Sequence, residues 1–359
     1  MQEEIKHFFH DLNVLELSSV LAGPAVGMFF AEMGANVTKI ENQTTNGDVT
    51  RNWISESDHQ SISSYFASIN YGKEHVFLDL TQTEDKTRLR EYIRKSDVVI
   101  TNMKLGDDVK LGLTFDFFKS TKEDIIQCQL FGFESDKSRP AFDAVLQAET
   151  GFMYMNGQPN SPPTKFPVAF IDMVAAHQMK EAILIALLKR EKSGAGSYIE
   201  VSLEEAGIAS LVNQATNWLM NKQIPERTGS LHPSIAPYGE TYKCNDNKWL
   251  VLAVGNDRQF TSLMEVLSLD HLSVHPDYST NANRVLHRVA LNKILERSFG
   301  LEDRSYVSTR LKTAGVPVGE VKTMKEVFEG STAKRMILEE EIEGSRTIRP
   351  SSIGFRFLA

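Results

Sequence analysis

Asp172 is a carboxylate whose place in the sequence allows two readings, one structural and one chemical. It stands immediately before a run from about Met173 to Arg190 whose apolar residues fall on most faces, the pattern of a largely buried helix. A carboxylate so placed is one of the few groups here that could do chemistry of its own, as a nucleophile. Read from the residues alone, an aspartate in that place is first a helix cap. Its oxygen satisfies orphan backbone N–H groups, and its removal costs about 1 kcal/mol. The positive end of the helix would favour its ionised form, the form that attacks. His177 lies on the same helix, one and a half turns further on and on another face, so it is given no catalytic part. Asp143 opens another helical stretch and reads as a structural residue.

The first half of the chain supplies the elements that must position such a residue. Asn13 to Leu17 is a short apolar strand, Pro24 opens a helix ending at Gly34, and Val37 to Glu41 is the next strand. The cycle recurs with strands at His75 to Leu80, Asp97 to Thr101, Ile125 to Leu130 and Tyr198 to Val201, and helices at Glu84 to Lys95 and Glu204 to Met220. Strands separated by helices imply parallel βαβ units and a doubly wound sheet. From Pro225 the texture changes: YGETYKCNDNKWLVLAV reads as a hairpin turning at Asn245-Asp246-Asn247, followed by helices at Arg258 to Leu267 and Asn283 to Phe299. The expected organisation is a large α/β domain over 1–224, with 336–359 returning to it, and a smaller α+β domain over 225–335.

Several chemistries lack their signatures. Glu41 follows the first strand at about the spacing of a ribose-binding acid, but the loop Ser19-Val20-Leu21-Ala22-Gly23-Pro24 has one glycine where a dinucleotide fingerprint needs three. No P-loop, HExxH, GxSxG or CxxC pattern occurs. With 39 basic and 47 acidic residues the net charge is −8, which argues against broad nucleic-acid binding. The start, MQEEIKHFFHDL, does not read as a secretory signal, and no window suggests a membrane span. Two cysteines, Cys128 and Cys244, support neither a disulfide framework nor a thiolate metal site. The chain is expected to be cytoplasmic, with no metal.

The stretch LELSSVLAGPAVGMFFAEMGANVTKIE resembles the opening of the class III CoA-transferases, the CaiB/BaiF family. Among its members formyl-CoA transferase is the nearer likeness and α-methylacyl-CoA racemase the less close. The likeness continues in order through GDVTRNW, INYGKEHVFLDL, SDVVITN, KLGL, LFGFES, AFDAVLQAETGFMYMNG and LLKREKSGAGSYIEVSLEEA. It implies a Rossmann-like large domain, an interlaced homodimer, and coenzyme A as substrate rather than resident cofactor. It also implies CoA transfer between an acyl-CoA and a carboxylic acid through an aspartyl intermediate. By the same resemblance Asp172 is the nucleophile and Glu134 lies near the active site. Val20, Ala22, Leu78, Asn102, Lys110 and Phe131 fall at coenzyme A contacts. Lys110 could pair with a phosphate as a point charge. Phe131 and Asn42 stand where formyl-CoA transferase has a lysine and an arginine, so phosphate recognition is weaker here or uses other groups, such as Lys73 or Arg51.

Two alternatives accompany this reading. An acyl-CoA racemase needs a base on each face of the α-carbon, and here Phe142 stands where the racemase has histidine. A catalytically silent acyl-CoA binding relative is the other, since no glycine-rich loop is apparent between Asn221 and Tyr238.

Overall fold

Six strands, β1 (Asn13–Leu17), β2 (Asn36–Asn42), β3 (Lys73–Leu78), β4 (Val98–Thr101), β5 (Ile126–Phe131) and β6 (Ser197–Ser202), pair in parallel in the order β3-β2-β1-β4-β5-β6. The computed structural model from which this is read describes residues 7–54 and 62–357. The first six residues, part of the charged start discussed above, lie outside that description. Strands β4 and β5 are buried along their whole length, as the inner strands of a sheet covered on both faces must be. The order reverses direction between β1 and β4, which opens a crevice at the carboxyl ends of those strands.

The helices of this part include α1 (Ala22–Glu32), α2 (Ser64–Ala67), α3 (Thr83–Lys95), α4 (Asp107–Leu111), α5 (Phe115–Thr121), α6 (Asp143–Glu149), α7 (Phe170–Ser193), α8 (Leu203–Ala209) and α9 (Val212–Asn221). Helix α1 lies unusually close to β1. A Cβ on Gly27 would stand 2.0 Å from Glu16 Oε2, and one on Gly23 would stand 2.3 Å from Ser18 Oγ. The glycines of AGPAVG are therefore a packing requirement rather than a phosphate fingerprint. The sequence suggests one helix over 204–220; instead the chain breaks after Ala209, and Val212 takes φ +46°. No glycine or proline marks that break.

By its internal packing the chain divides into two compact units. One comprises Met1–Met153, Lys165–Pro225 and Arg335–Ala359; the other comprises Tyr154–Thr164 and Glu226–Lys334. In the second unit, β7 (Tyr238–Lys243), β8 (Trp249–Ala253) and β9 (Val318–Glu320) form an antiparallel sheet. Helices α10 (Asp257–Val266), α11 (Asn281–Leu286), α12 (Arg288–Phe299) and α13 (Arg304–Thr313) accompany it, and Tyr242, Leu250, Phe260, Leu291, Phe299 and Leu311 share its core. The single helix expected over 283–299 is two, meeting at His287. In the first unit a second hairpin, β10 (Ile337–Ile342) and β11 (Ser345–Pro350), follows. Its end is pinned to α1 by Arg349 and Ser352 on the Glu32 carboxylate. Among the described residues no helix is long and apolar enough to cross a membrane.

Candidate active site

Two features of the first unit concern chemistry: the crevice at the strand ends, and the start of α7. The crevice is a cavity of about 590 Å³ whose walls include Ser18 and Ser19 after β1, Asn42 at the end of β2 with Asp48 beyond it, Leu78 at the end of β3, and Asn102 with Lys104 after β4.

Its floor is ionic. Parallel register sets Glu16 beside Lys39, and Lys39 Nζ lies 2.7 Å from Glu16, 2.6 Å from the Ser18 carbonyl and 3.1 Å from Asp48. Lys73 closes on the other Glu16 oxygen at 2.8 Å. Burial opposes the charge on Glu16, but the two lysines outweigh it and hold its carboxyl below the usual range. Burial also pulls Lys73 down to about 8. Asp48 in turn accepts Thr50 N–H and the Val20 N–H, the latter at 3.3–3.4 Å. Val20 has φ +74°, a strained conformation for a β-branched residue. The first loop is thus held from below by a buried network. Asn102 braces it from the side, donating to the Ser19 carbonyl at 2.8 Å and accepting the Ser19 N–H at 3.2 Å.

Neither Lys73 nor Arg51 is available to a phosphate, which corrects that expectation. Lys73 is enclosed by Glu16, Asn70 and the Pro24 carbonyl, and Arg51 is clamped by Glu41, at 2.6 and 2.7 Å, and by Glu343. Leu78 and Asn102 line the cavity; Val20 and Ala22 belong to its first loop and to the buried start of α1, behind the lining. Lys110 is exposed on α4, whose Asp107 and Leu111 face the cavity instead. Phe131 is buried at the end of β5, with Lys137 over its ring at 5.0 Å. The exposed cation in the wall is Lys104, which the sequence reading missed. Its place just past β4, at the switch point, was the available signal.

Asp172 does not cap its helix. Helix α7 begins at Phe170 with Ala169 as cap residue, so Asp172 sits inside the first turn. Asp143 does the capping from across space: its Oδ1 accepts Ile171 N–H at 2.7 Å and Asp172 N–H at 3.3 Å. The Asp172 carboxylate, 7% exposed, has no hydrogen-bond partner among the described residues. Burial, and then the charge of Asp143, push its carboxyl up to about 7. The expectation of an ionised form favoured by the helix start is thus opposed by burial and by Asp143, and the net shift is upward. Tyr65 on α2 stands in the same field: burial and the charges of Asp172, Asp143 and Asp48 push its hydroxyl up to about 12. Trp53 meets the Tyr65 ring edge-on at 4.8 Å.

Glu134 is not joined to Asp172 by any hydrogen bond or ion pair. It lies half-exposed, 3.4 Å from Lys137. Phe142, at the start of α6, is 56% exposed. His177 lies further along α7, where burial and Lys180 lower its proton affinity.

A buried carboxylate with a high proton affinity, and a ligand-sized crevice at a topological switch point, suit acyl transfer on a nucleotide-bearing thioester. The comparisons with known proteins give the family. Residues 9–353 match the model for CoA-transferase family III. The chain is 33% identical over 340 residues to a succinate–glutarate CoA-transferase of Agrobacterium fabrum, covering 92% of this chain and 84% of the relative. It is 31% identical over 320 residues to the human succinyl-CoA:glutarate CoA-transferase, covering 88% and 72%. A crystal structure of a CaiB/BaiF family protein from Brucella suis superposes with a TM-score of 0.85 at 32% identity, covering 96% of this chain and 91% of that one. The chain belongs to CoA-transferase family III. It is an enzyme of the CoA-transferase type.

Proposed function

We propose that this cytoplasmic enzyme moves coenzyme A from an acyl-CoA to a carboxylic acid, with Asp172 as the covalent carrier. Asp172 Oδ attacks the thioester carbonyl and expels CoA thiolate, giving a mixed anhydride. The thiolate attacks the Asp172 carbonyl, forming aspartyl-CoA and releasing the donor acid as carboxylate. The acceptor carboxylate then attacks aspartyl-CoA, again expelling thiolate and forming a second anhydride. Thiolate attack on the acceptor's acyl carbon yields the new acyl-CoA and regenerates the Asp172 carboxylate. No net proton moves, and the thioester's energy is kept.

The observation that carries this reading is the Asp172 carboxylate itself, 7% exposed and without a hydrogen-bond donor among the described residues. An ionised carboxylate stripped of water and hydrogen bonds is a stronger nucleophile than a solvated one. The cavity at the ends of β1 to β4 is assigned to the nucleotide end of coenzyme A, with Leu78 and Asn102 in its wall and Lys104 toward the phosphates. Glu134 is assigned an accessory place, outside contact with Asp172. The acceptors to try first are short dicarboxylic acids, because the Agrobacterium relative is named for succinate and glutarate. The working form is proposed to be an interlaced homodimer. Phe142, exposed and unable to carry a proton, gives racemisation no support.

Hydroxylamine trapping tests the carrier. Enzyme incubated with succinyl-CoA and hydroxylamine is expected to lose activity and to carry a hydroxamate on Asp172. Full retention of activity, with turnover continuing, would sink the covalent route.

A further inference from the structure

Helix α6 presents two buried polar side chains, Asp143 and Gln147, one helical turn apart and on one face. Both are turned onto the segment that delivers Asp172. Asp143 Oδ1 takes the backbone N–H groups of Ile171 and Asp172, as described. Gln147, with no exposure at all, donates Nε2 to Asp143 Oδ2 at 2.5 Å and to the Val168 carbonyl at 3.4 Å, and its Oε1 accepts Phe166 N–H at 2.7 Å. Residues 166 to 172 are thereby fastened at both ends by one pair of side chains from another helix. A local serine or aspartate at the cap would satisfy the same N–H groups at no such distance along the chain. The arrangement also sets a carboxylate against the catalytic one in a buried site, where like charges interact strongly.

We infer that Asp143, held by Gln147, is a positioning residue for the reaction: it clamps the first turn of α7 and so sets where the Asp172 carboxylate stands and what charge it faces. This inference rests on Asp172 being the nucleophile. The other titratable groups on elements packed against α7 are Glu32 on α1, Glu149 on α6, Cys128 on β5, Tyr198 and Glu200 on β6, and Glu204 and Glu205 on α8. Tyr65 stands near on α2, and His177 and Lys180 lie on α7 itself. Of all these, only Asp143 contributes a charge at Asp172, beside burial.

The clamp has two separable effects. Its charge keeps Asp172 protonated to higher pH than burial alone would. Its hydrogen bonds fix the direction of attack, and a misplaced nucleophile costs rate rather than substrate affinity.

The test uses full-length enzyme and three variants. Asp143→Asn and Asp143→Ser both remove the charge while keeping an oxygen that can cap a helix. Gln147→Met keeps the charge and removes the bracing amide. For the two neutral variants the pH midpoint of kcat/KM is expected to fall by about one pH unit. For Gln147→Met the midpoint should stay within a few tenths of wild type, while kcat falls about tenfold and KM for acyl-CoA barely changes. A purely structural residue would lower activity and stability without moving the midpoint. If either neutral variant that folds keeps the wild-type midpoint, the inference is wrong. Wild-type enzyme is first checked by mass spectrometry for an aspartyl-CoA adduct at Asp172. Its absence would overturn the covalent reading itself, and its presence with an unmoved midpoint would overturn only the role of Asp143.

Discussion

Lys39 and Glu16 meet at 2.7 Å with side chains 1% and 0% exposed, beneath the loop that opens the candidate nucleotide site. Neither charge touches water, so each depends on the other and on Asp48 and Lys73 for its solvation. Removing one member leaves an uncompensated buried charge, which costs about 3–5 kcal/mol. Lys39→Met is therefore expected to lower the urea midpoint sharply and to raise KM for acyl-CoA through the loosened Val20 loop. An unchanged midpoint would show that the network does not support the fold.

The proton affinity of Asp172 gives an opposite expectation for stability. Its carboxyl titrates near 7 in the folded chain, against an ordinary value of 3.8. A raised folded value favours folding fully below the ordinary value, and that contribution is lost as pH rises through about 7. At pH 8 the buried ionised carboxylate is a burden, so Asp172→Asn should be more stable than wild type by up to about 4 kcal/mol. The gain should vanish near pH 4. Urea unfolding at the two pH values checks this, and a variant less stable at pH 8 would contradict it.

Activity should follow the same titration with the reverse sense. Only the ionised carboxylate attacks, so kcat/KM is expected to rise as pH increases through about 7 and then level off. A profile flat from pH 5 to 9 would mean that Asp172 is ionised throughout, or is not the attacking group.

Lys104 and Lys110 separate what the structure says of the phosphates from what the sequence suggested. Lys104 is in the cavity wall, and Lys110 is not. Lys104→Ala should raise KM for acyl-CoA several-fold with kcat nearly intact, an effect weakened by salt. Lys110→Ala should change KM less than about twofold. The reverse order would move the phosphate site to the outer face of α4.

The alternation of strands and helices is most legible where a stop signal ends an element, as Gly34 does after α1. The break at Val212 carries none, being a β-branched residue in a left-handed conformation. The hairpin of β10 and β11 is equally silent, since Glu339-Glu340-Glu341 hides its alternation. At the site, Leu78 and Asn102 could be placed through the family resemblance, and they lie at the end of β3 and just after β4. The burial of Lys73 and Arg51 could not, because it depends on Glu16, two strands from Lys73 in the sheet, and on Glu41 at the end of β2. The capping of α7 by Asp143 spans 28 residues and is a tertiary contact, which no local pattern of cap residues encodes. That is why Asp172 looked like a cap and is not one.

The covalent state of Asp172 during turnover is the most direct test. Enzyme mixed with an acyl-CoA at pH 8 without acceptor, quenched and measured intact, is expected to gain the mass of coenzyme A less one water. Digestion should localise the addition to the peptide containing Asp172, acceptor acid should discharge it, and Asp172→Asn should show neither adduct nor transfer. Transfer by folded Asp172→Asn at a rate near wild type would contradict the account.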